Sequence, residues 1–370
     1  MHSSPRLGRP DQPVMIVVSD RWESATESGW ITRQVAGALA CVADVHVVTA
    51  GDSQPNTISD GVFTVHRSGP GIGADHLSAV SADVQAEGMV MAGRHWQAMA
   101  ETLEGLHSDL PATVLVLEHE RAADEEEAAV SRVARRSQAI MVVTHSAASW
   151  VERQTPSANQ VRIIGAPMAV NPMVLDEPDP MLAGAEYVLV LTASREGSDN
   201  LDTGLARILR VRYPDATIAI LHSDAFCVWR RGRVERVGPV ERSSDLERLM
   251  AWAQVTVDLC PGGLFARRCV SSLLFGTPIV VPRDSRAREH AEYGRGGLWF
   301  TSPAELSWCV ETMLDPSTRS AFSAQGKAYA DREFGSTDQF IERVTASCGF
   351  TATDTDSRAV TEGMTSRGSP

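Results

Sequence analysis

The residues best suited to chemistry lie between Val255 and Phe300, in the run VTVDLC, PGGLFARR, CVSSLLFGTPIVVP, RDSRAREHAEYGRGGLWF. The pattern predicts a buried strand, a turn at Gly262-Gly263, a helix that stops at Gly276, a second strand and an arginine-rich loop. A strand that passes through a glycine turn into a helix sets the backbone N–H groups of Leu264 to Arg267 and the positive end of the helix dipole at a sheet edge. Anions bind at such edges in α/β proteins. Arg267 and Arg268 fall in the first turn of this helix, where a cation is disfavoured by ~0.3–1 kcal/mol through the dipole. An anionic ligand would reverse that sign; arginines that simply point into solvent would leave the small penalty screened.

Other polar residues close predicted strands. TVLVLEHER ends in Glu118-His119-Glu120, and a histidine between two carboxylates is suited to accept a proton from a hydroxyl. The competing reading is a structural histidine with both nitrogens satisfied. AIMVVTHS ends in Thr144, His145 and Ser146, and Gly29 stands at a predicted helix start after the first strand.

The elements that must hold these groups follow from composition and periodicity. At 370 residues with 43% apolar content, the chain is long enough for two domains with real cores. Lys+Arg of 34 against Asp+Glu of 47 gives a net charge of −13 with no basic block. That balance excludes nucleic acid as a main partner, since phosphate-backbone binding needs a concentrated positive face. The six cysteines form no C-x-x-C pair, so neither zinc nor thioredoxin-type chemistry is indicated, and no metal site is expected. No signal-peptide core and no run of ~18 apolar residues occur, and the default setting is cytoplasmic.

VMIVV, a helical segment over ITRQVAGAL and ADVHVVTA open the chain as a βαβ unit without a G-x-G-x-x-G fingerprint. Phe63 to His66 continues the sheet, SGPGIGADH reads as a surface loop, and Ser78 to Leu106 reads as one helix. The strands TVLVLEHER, AIMVVTHS and VRIIGAP follow. Three prolines in NPMVLDEPDPML mark a linker at 173–185, after which the alternation restarts with YVLVLTAS, the helix LDTGLARILRVRYP, ATIAILHSD and VERVGPV. Ser244-x-x-Glu247 has the pattern of a capping box. The organisation expected is a flexible leader at 1–12, a first Rossmann-like domain at 13–172, a second at 186–330, closing helices at 331–348 that cross back to the first, and a disordered tail at 349–370.

Two restarted β/α halves joined in this way resemble the GT-B architecture, and the details are similar to the family-4 (group 1) glycosyltransferases over about residues 13 to 346. VMIVVSD is similar to that family's first strand, TVLVLEH to the strand that ends in a histidine, and VRIIGAPMAVNP to the turn into its second domain. VGPVERSSDLERLMAWAQVTVDLCPGGLFARRCVSSLLFGTPIVVP resembles the run that encloses the nucleotide-sugar. EHAEYGRGGLWF is similar to the following stretch, in which a glutamate and two glycines recur, and DREFGSTDQFIERV to the closing helices.

The resemblance implies two Rossmann-like domains facing a central cleft and metal-independent transfer from a UDP- or GDP-sugar, with retention of configuration and no bound cofactor. Arg195, Gly262, Gly263, Leu264, Arg267, Arg268, Ser271 and Glu289 would face the donor. His119 would be the catalytic residue, with Gly29 and His145 toward a small-molecule, glycan or lipid-linked acceptor. A lipid-linked acceptor would bring the protein to the membrane surface as a peripheral protein.

The departures are specific. The family's Glu-x7-Glu pair falls at Gly263 and Ser271, and its Arg and Lys pair falls in LTASREGSDNL, where Arg195 is present and Glu196 occupies about the lysine position. Each lost hydrogen bond to a charged partner costs about 1.5–3 kcal/mol. Either the arginines and helix N-terminus replace these contacts, or the chain is a catalytically silent relative that binds a protein partner. A sugar-phosphate epimerase of the same architecture is a third reading, because fold does not fix function.

Overall fold

The computed structural model describes residues 12–350 apart from 21, 23–25, 51–55, 69–70, 94, 107–109, 118–123, 156–160, 169, 177, 179–181, 183, 193–203, 223–224, 231–232, 241–242 and 260–264. His119, Arg195, Gly262, Gly263 and Leu264 therefore lie outside the described residues, as do almost all of the leader and tail. The chain divides into two units, one formed by Met1–Pro167 with Thr337–Pro370 and the other by Met168–Ser336.

The first unit is built on an eight-stranded sheet. In chain order its elements are β1 (Val14–Ser19), α1 (Glu27–Leu39), β2 (Asp44–Thr49), β3 (Asn56–Asp60), β4 (Phe63–Arg67), α2 (Ala74–Val84), β5 (Gly88–Gly93), α3 (Trp96–Gly105), β6 (Ala112–Val116), α4 (Asp124–Arg136), β7 (Ala139–Val142), α5 (His145–Gln154) and β8 (Val161–Ile163). The strand order is β3-β4-β2-β1-β5-β6-β7-β8, parallel throughout except for the antiparallel β3–β4 hairpin. Continuous apolar runs such as VMIVV form central strands because both faces of a parallel sheet are covered. One core joins Ile16, Val18, Met89, Met91, Val114 and Val116 to side chains of α2, α3, α4 and α5. The last helix of the chain packs against α1 and β7, and the Thr113 hydroxyl donates to the Ser347 carbonyl at 3.3 Å.

Two readings from the pattern are corrected here. The single helix expected over Ser78 to Leu106 is α2, β5 and α3, with GMVMAG fully buried as a strand between β1 and β6. Methionine and alanine carry little strand preference, so this run blends into the helical pattern on either side, although glycines bound it at both ends. The strand β3 was not anticipated because all five of its residues are exposed on the sheet edge and show no apolar alternation.

The second unit contains a 3-10 turn at Pro172–Leu175, β9 (Tyr187–Thr192), α6 (Gly204–Arg212), β10 (Thr217–His222), β11 (Ala225–Arg230), β12 (Arg233–Pro239), α7 (Ser243–Trp252), β13 (Val255–Asp258), α8 (Arg267–Leu274), β14 (Ile279–Pro282), α9 (Arg288–Glu292), β15 (Gly297–Phe300), α10 (Pro303–Leu314) and α11 (Pro316–Glu333). The final helix, α12 (Thr337–Ser347), belongs to the first unit. The sheet order is β12-β11-β10-β9-β13-β14-β15, with β10–β11–β12 antiparallel and the rest parallel. Alternate residues of β9 enter two different cores: Val188 and Val190 pack with α6 and α10, while Tyr187, Leu189 and Leu191 pack with α7.

Close backbone approach fixes the frame around α8. A Cβ on Gly296 would stand 2.7 Å from Leu273 Cδ2 and 2.9 Å from the Gly326 Cα, so α11, α8 and the start of β15 meet where only glycine fits. Gly276 ends α8 in the left-handed region at φ +83°, the expected C-terminal cap.

Candidate functional site

Each sheet changes direction at one place, and open α/β sheets bind ligands beyond the carboxyl ends of the strands there. In the second unit that place lies between β9 and β13, because β10 lies on one side of β9 and β13 on the other. Asp258 at the end of β13 is level with Leu191 on β9, and the Leu259 amide donates to the Leu191 carbonyl at 2.9 Å. The loop with Arg195 and the loop with Gly262-Gly263-Leu264 thus leave from neighbouring strand ends, although both loops are outside the described residues.

The described part of the site begins at Phe265. Ala266 is the N-cap of α8 and adopts the left-handed conformation, at φ 51° and ψ 54°, with no side chain capping the helix. The Ala266 carbonyl accepts from the Cys269 amide at 2.9 Å. Arg267 and Arg268 occupy the first two positions of α8, and both side chains are half-buried. Arg267 lies close enough to Glu247 on α7 to favour its carboxylate form. Burial has the largest effect and pushes the Glu247 carboxyl above its ordinary range, against the Asn171 amide and then Arg267. Ser271 lies one turn further along and is buried. Beneath the helix the Cys269 thiol donates to an Asp258 carboxylate oxygen at 3.4 Å, and the Ser272 hydroxyl donates to Thr256 Oγ1 at 2.8 Å.

Glu289 is also buried, on α9 after the adjacent strand β14. It lies near enough to Tyr329 on α11 to help burial raise that phenol. Two arginines after β14, one in the loop and one at the start of α9, pack on an aromatic ring. Arg283 and Arg288 both lie over the Trp299 ring, at 5.5 and 4.8 Å from its centroid, and Arg288 also pairs with Glu292 at 2.7 Å.

Sequence reasoning missed His290. It is fully buried, with Nε2 at 2.7 Å from the Phe265 carbonyl oxygen and Nδ1 at 3.1 Å from the Tyr329 hydroxyl. Phe265 and Phe334 stack at 6.1 Å, and the His290 ring meets Phe334 edge-on at 5.5 Å. The sequence signal was weak, a histidine within the charged run REHAE, and its partners lie 25 and 39 residues away.

In the first unit the direction changes between β1 and β5. Gly29 sits in the first turn of α1, buried, and its amide donates to the Thr26 side chain at 3.4 Å. His145 is the first residue of α5, after Thr144, whose Oγ1 accepts from the Ala147 amide at 3.3 Å. These two residues are not neighbours: β5 and β6 separate their strands, a span of about 14 Å at ordinary strand spacing. The histidine that follows the strand beside β1 is His95, exposed at the start of α3. It went unnoticed because β5 was read as helix. Among the described residues there is no cluster of histidine, cysteine or carboxylate ligands able to hold a metal ion, and no helix long and apolar enough to cross a membrane.

The architecture has close counterparts among solved structures. Sucrose-phosphate synthase from Thermosynechococcus elongatus superposes with a TM-score of 0.58 at 14% identity, covering 89% of this chain and 96% of its own. HepE from Anabaena, in complex with UDP and glucose, gives 0.58 at 12% identity over 91% of this chain and all of its own, 100%. The trehalose-6-phosphate protein from E. coli, bound with UDP-2-fluoro glucose, gives 0.58 at 10% over 91% and 99%. The fold is GT-B. No family model matches the chain, and no curated protein matches it in sequence. At these identities the likeness shows the fold alone: two Rossmann-like units in the GT-B order along the chain.

Proposed function

We propose that this GT-B protein transfers a sugar from a nucleotide-sugar donor, a UDP- or GDP-sugar, to a small-molecule, glycan or lipid-linked acceptor. The observation that carries this reading is the uncapped start of α8, with Arg267 and Arg268 in its first turn, beside the β9–β13 direction change. Negative charge develops on the departing diphosphate as the glycosidic bond breaks. Fixed amide dipoles and guanidinium groups aimed at that charge stabilise the transition state without reorganising. In this assignment Arg195, Gly262, Gly263, Leu264, Arg267 and Arg268 receive the diphosphate, and Ser271 and Glu289 receive the nucleoside and sugar. His119 serves as the catalytic residue, and Gly29 and His145 serve the acceptor. Retention and metal independence follow from the resemblance to the family-4 enzymes, and support for the donor class comes from the nucleotides named with HepE and the E. coli protein.

A second reading is favoured by one observation. The buried position 271 carries a serine hydroxyl where the family pattern has a carboxylate, and a protein without that contact would be a silent, partner-binding relative. Thermal unfolding with UDP, GDP and ADP, followed by turnover with the matching sugars, separates the two. A transferase gains about 2.7 kcal/mol at a hundredfold excess of nucleotide over its dissociation constant. Indifference to every nucleotide, with no turnover, leaves the silent reading.

A further inference from the structure

His290 is a buried, titratable side chain that the chemistry above does not use. Its surroundings assign each of its atoms a task. A carbonyl oxygen only accepts hydrogen bonds, so the contact between Nε2 and the Phe265 carbonyl at 2.7 Å requires the proton on Nε2. Burial raises the Tyr329 phenol far above its ordinary range, so its hydroxyl keeps a hydrogen to give, and Nδ1 at 3.1 Å receives it. Tyr329 O–H to Nδ1 and Nε2–H to the Phe265 carbonyl form a directed relay that selects one tautomer of the ring.

The relay ends where the site begins. Phe265 directly precedes Ala266, whose left-handed backbone turns the chain into α8. For a residue with a Cβ that conformation costs about 1–2 kcal/mol, so it persists only where its surroundings impose it. The rings of Phe265, Phe334 and Tyr329 enclose His290, and Gly294 allows the close approach, since a Cβ there would meet Tyr329 Cδ1 at 2.6 Å.

We infer that His290, oriented by Tyr329, is a positioning residue that holds the Phe265 carbonyl and thereby aims the first-turn amides and arginines of α8 at the donor diphosphate. The inference rests on the donor reading above for its purpose, and on geometry alone for its mechanism. Tyr329→Phe is the discriminating variant. It keeps the ring and the packing but removes the hydroxyl that anchors Nδ1, so the imidazole is held at one nitrogen only and its hold on the carbonyl loosens. His290→Gln is the second variant, because its amide N–H can still donate to Phe265.

The experiment reads two quantities on the full chain: backbone hydrogen exchange of peptides spanning residues 262–272 without nucleotide, and the dissociation constant for UDP and GDP by titration calorimetry. Tyr329→Phe is expected to speed exchange in that segment by about tenfold while exchange in β1 and β2 stays unchanged. Nucleotide affinity should fall by about three- to tenfold, the loss of one buried hydrogen bond. His290→Gln should recover much of both, whereas His290→Phe should not. Unchanged exchange in Tyr329→Phe and His290→Phe overturns the inference whatever the nucleotide does, as does faster exchange with unaltered affinity. Failure of the unsubstituted protein to bind either nucleotide overturns the donor reading instead, and the exchange measurement still decides the relay.

Discussion

Three helix starts that carry candidate site residues, α1 and α5 in the first unit and α8 in the second, are built in different ways. In the first unit α1 and α5, the helices that carry Gly29 and His145, begin with threonines whose own hydroxyl oxygens take up first-turn amides. In the second unit α8 begins with an alanine whose side chain cannot cap those amides and whose backbone bends through a left-handed conformation. A helix start that is satisfied internally is optimised for stability. One without a side-chain cap, with two arginines in the turn where the dipole disfavours them, is where we propose that an anion binds.

The largest effect that would break this contrast concerns those arginines. Replacing both in Arg267→Ala/Arg268→Ala should weaken the tighter-binding of UDP and GDP by at least about a hundredfold, because each charge-assisted bond contributes about 1.5–3 kcal/mol. Titration calorimetry reads this directly, and unaltered affinity would make the arginines solvent-facing charges. Thermal stability should scarcely move, since both side chains are half-buried at a helix end.

Histidines sharpen the contrast at a smaller scale. In the first unit His46 Nδ1 and His66 Nε2 meet at 2.9 Å with stacked rings, and Thr57 Oγ1 lies 3.2 Å from His66 Nδ1. Burial first, then the neighbouring His46, lowers the His66 pKa to about 4. The unfolded chain takes up this proton near pH 6.5 and the folded chain does not, so stability must fall as pH drops from about 6.5 toward 4. With a discount for partial exposure to solvent, the loss between pH 7 and 5 is about 1 kcal/mol in urea unfolding. His66→Phe should flatten that slope.

The smallest test exchanges the two designs. Thr144→Ala should cost about 1 kcal/mol by removing a cap. Ala266→Gly should instead stabilise the protein, by about 0.5 kcal/mol, because glycine accepts the left-handed backbone while adding freedom to the unfolded chain. Both are read from thermal unfolding, and a destabilising Ala266→Gly would show that this backbone is not strained.

Much of this was legible in sequence, for physical reasons. VMIVV and YVLVLT are unbroken apolar runs because their strands are covered on both faces, and α8 announced itself through Gly276-Thr277-Pro278 at its end. GMVMAG escaped because methionine, alanine and glycine serve helix and strand patterns alike, and His95 was lost with it. AFCVWR was passed over between two better-patterned strands. The tie from His290 to Phe265 and Tyr329 could not be read at all: it joins three distant positions, and one of its atoms is a backbone carbonyl, which any residue supplies.

The placement of α12 has a consequence for how the molecule comes into being. The helix that packs on α1 and β7 is encoded after the whole of the second unit. As the chain leaves the ribosome, the half that is synthesised first must therefore wait, with one flank of its sheet bare, until the second unit and then α12 have emerged. An early stop just before Thr337 would spare every residue of the later half and still leave the earlier one unfinished.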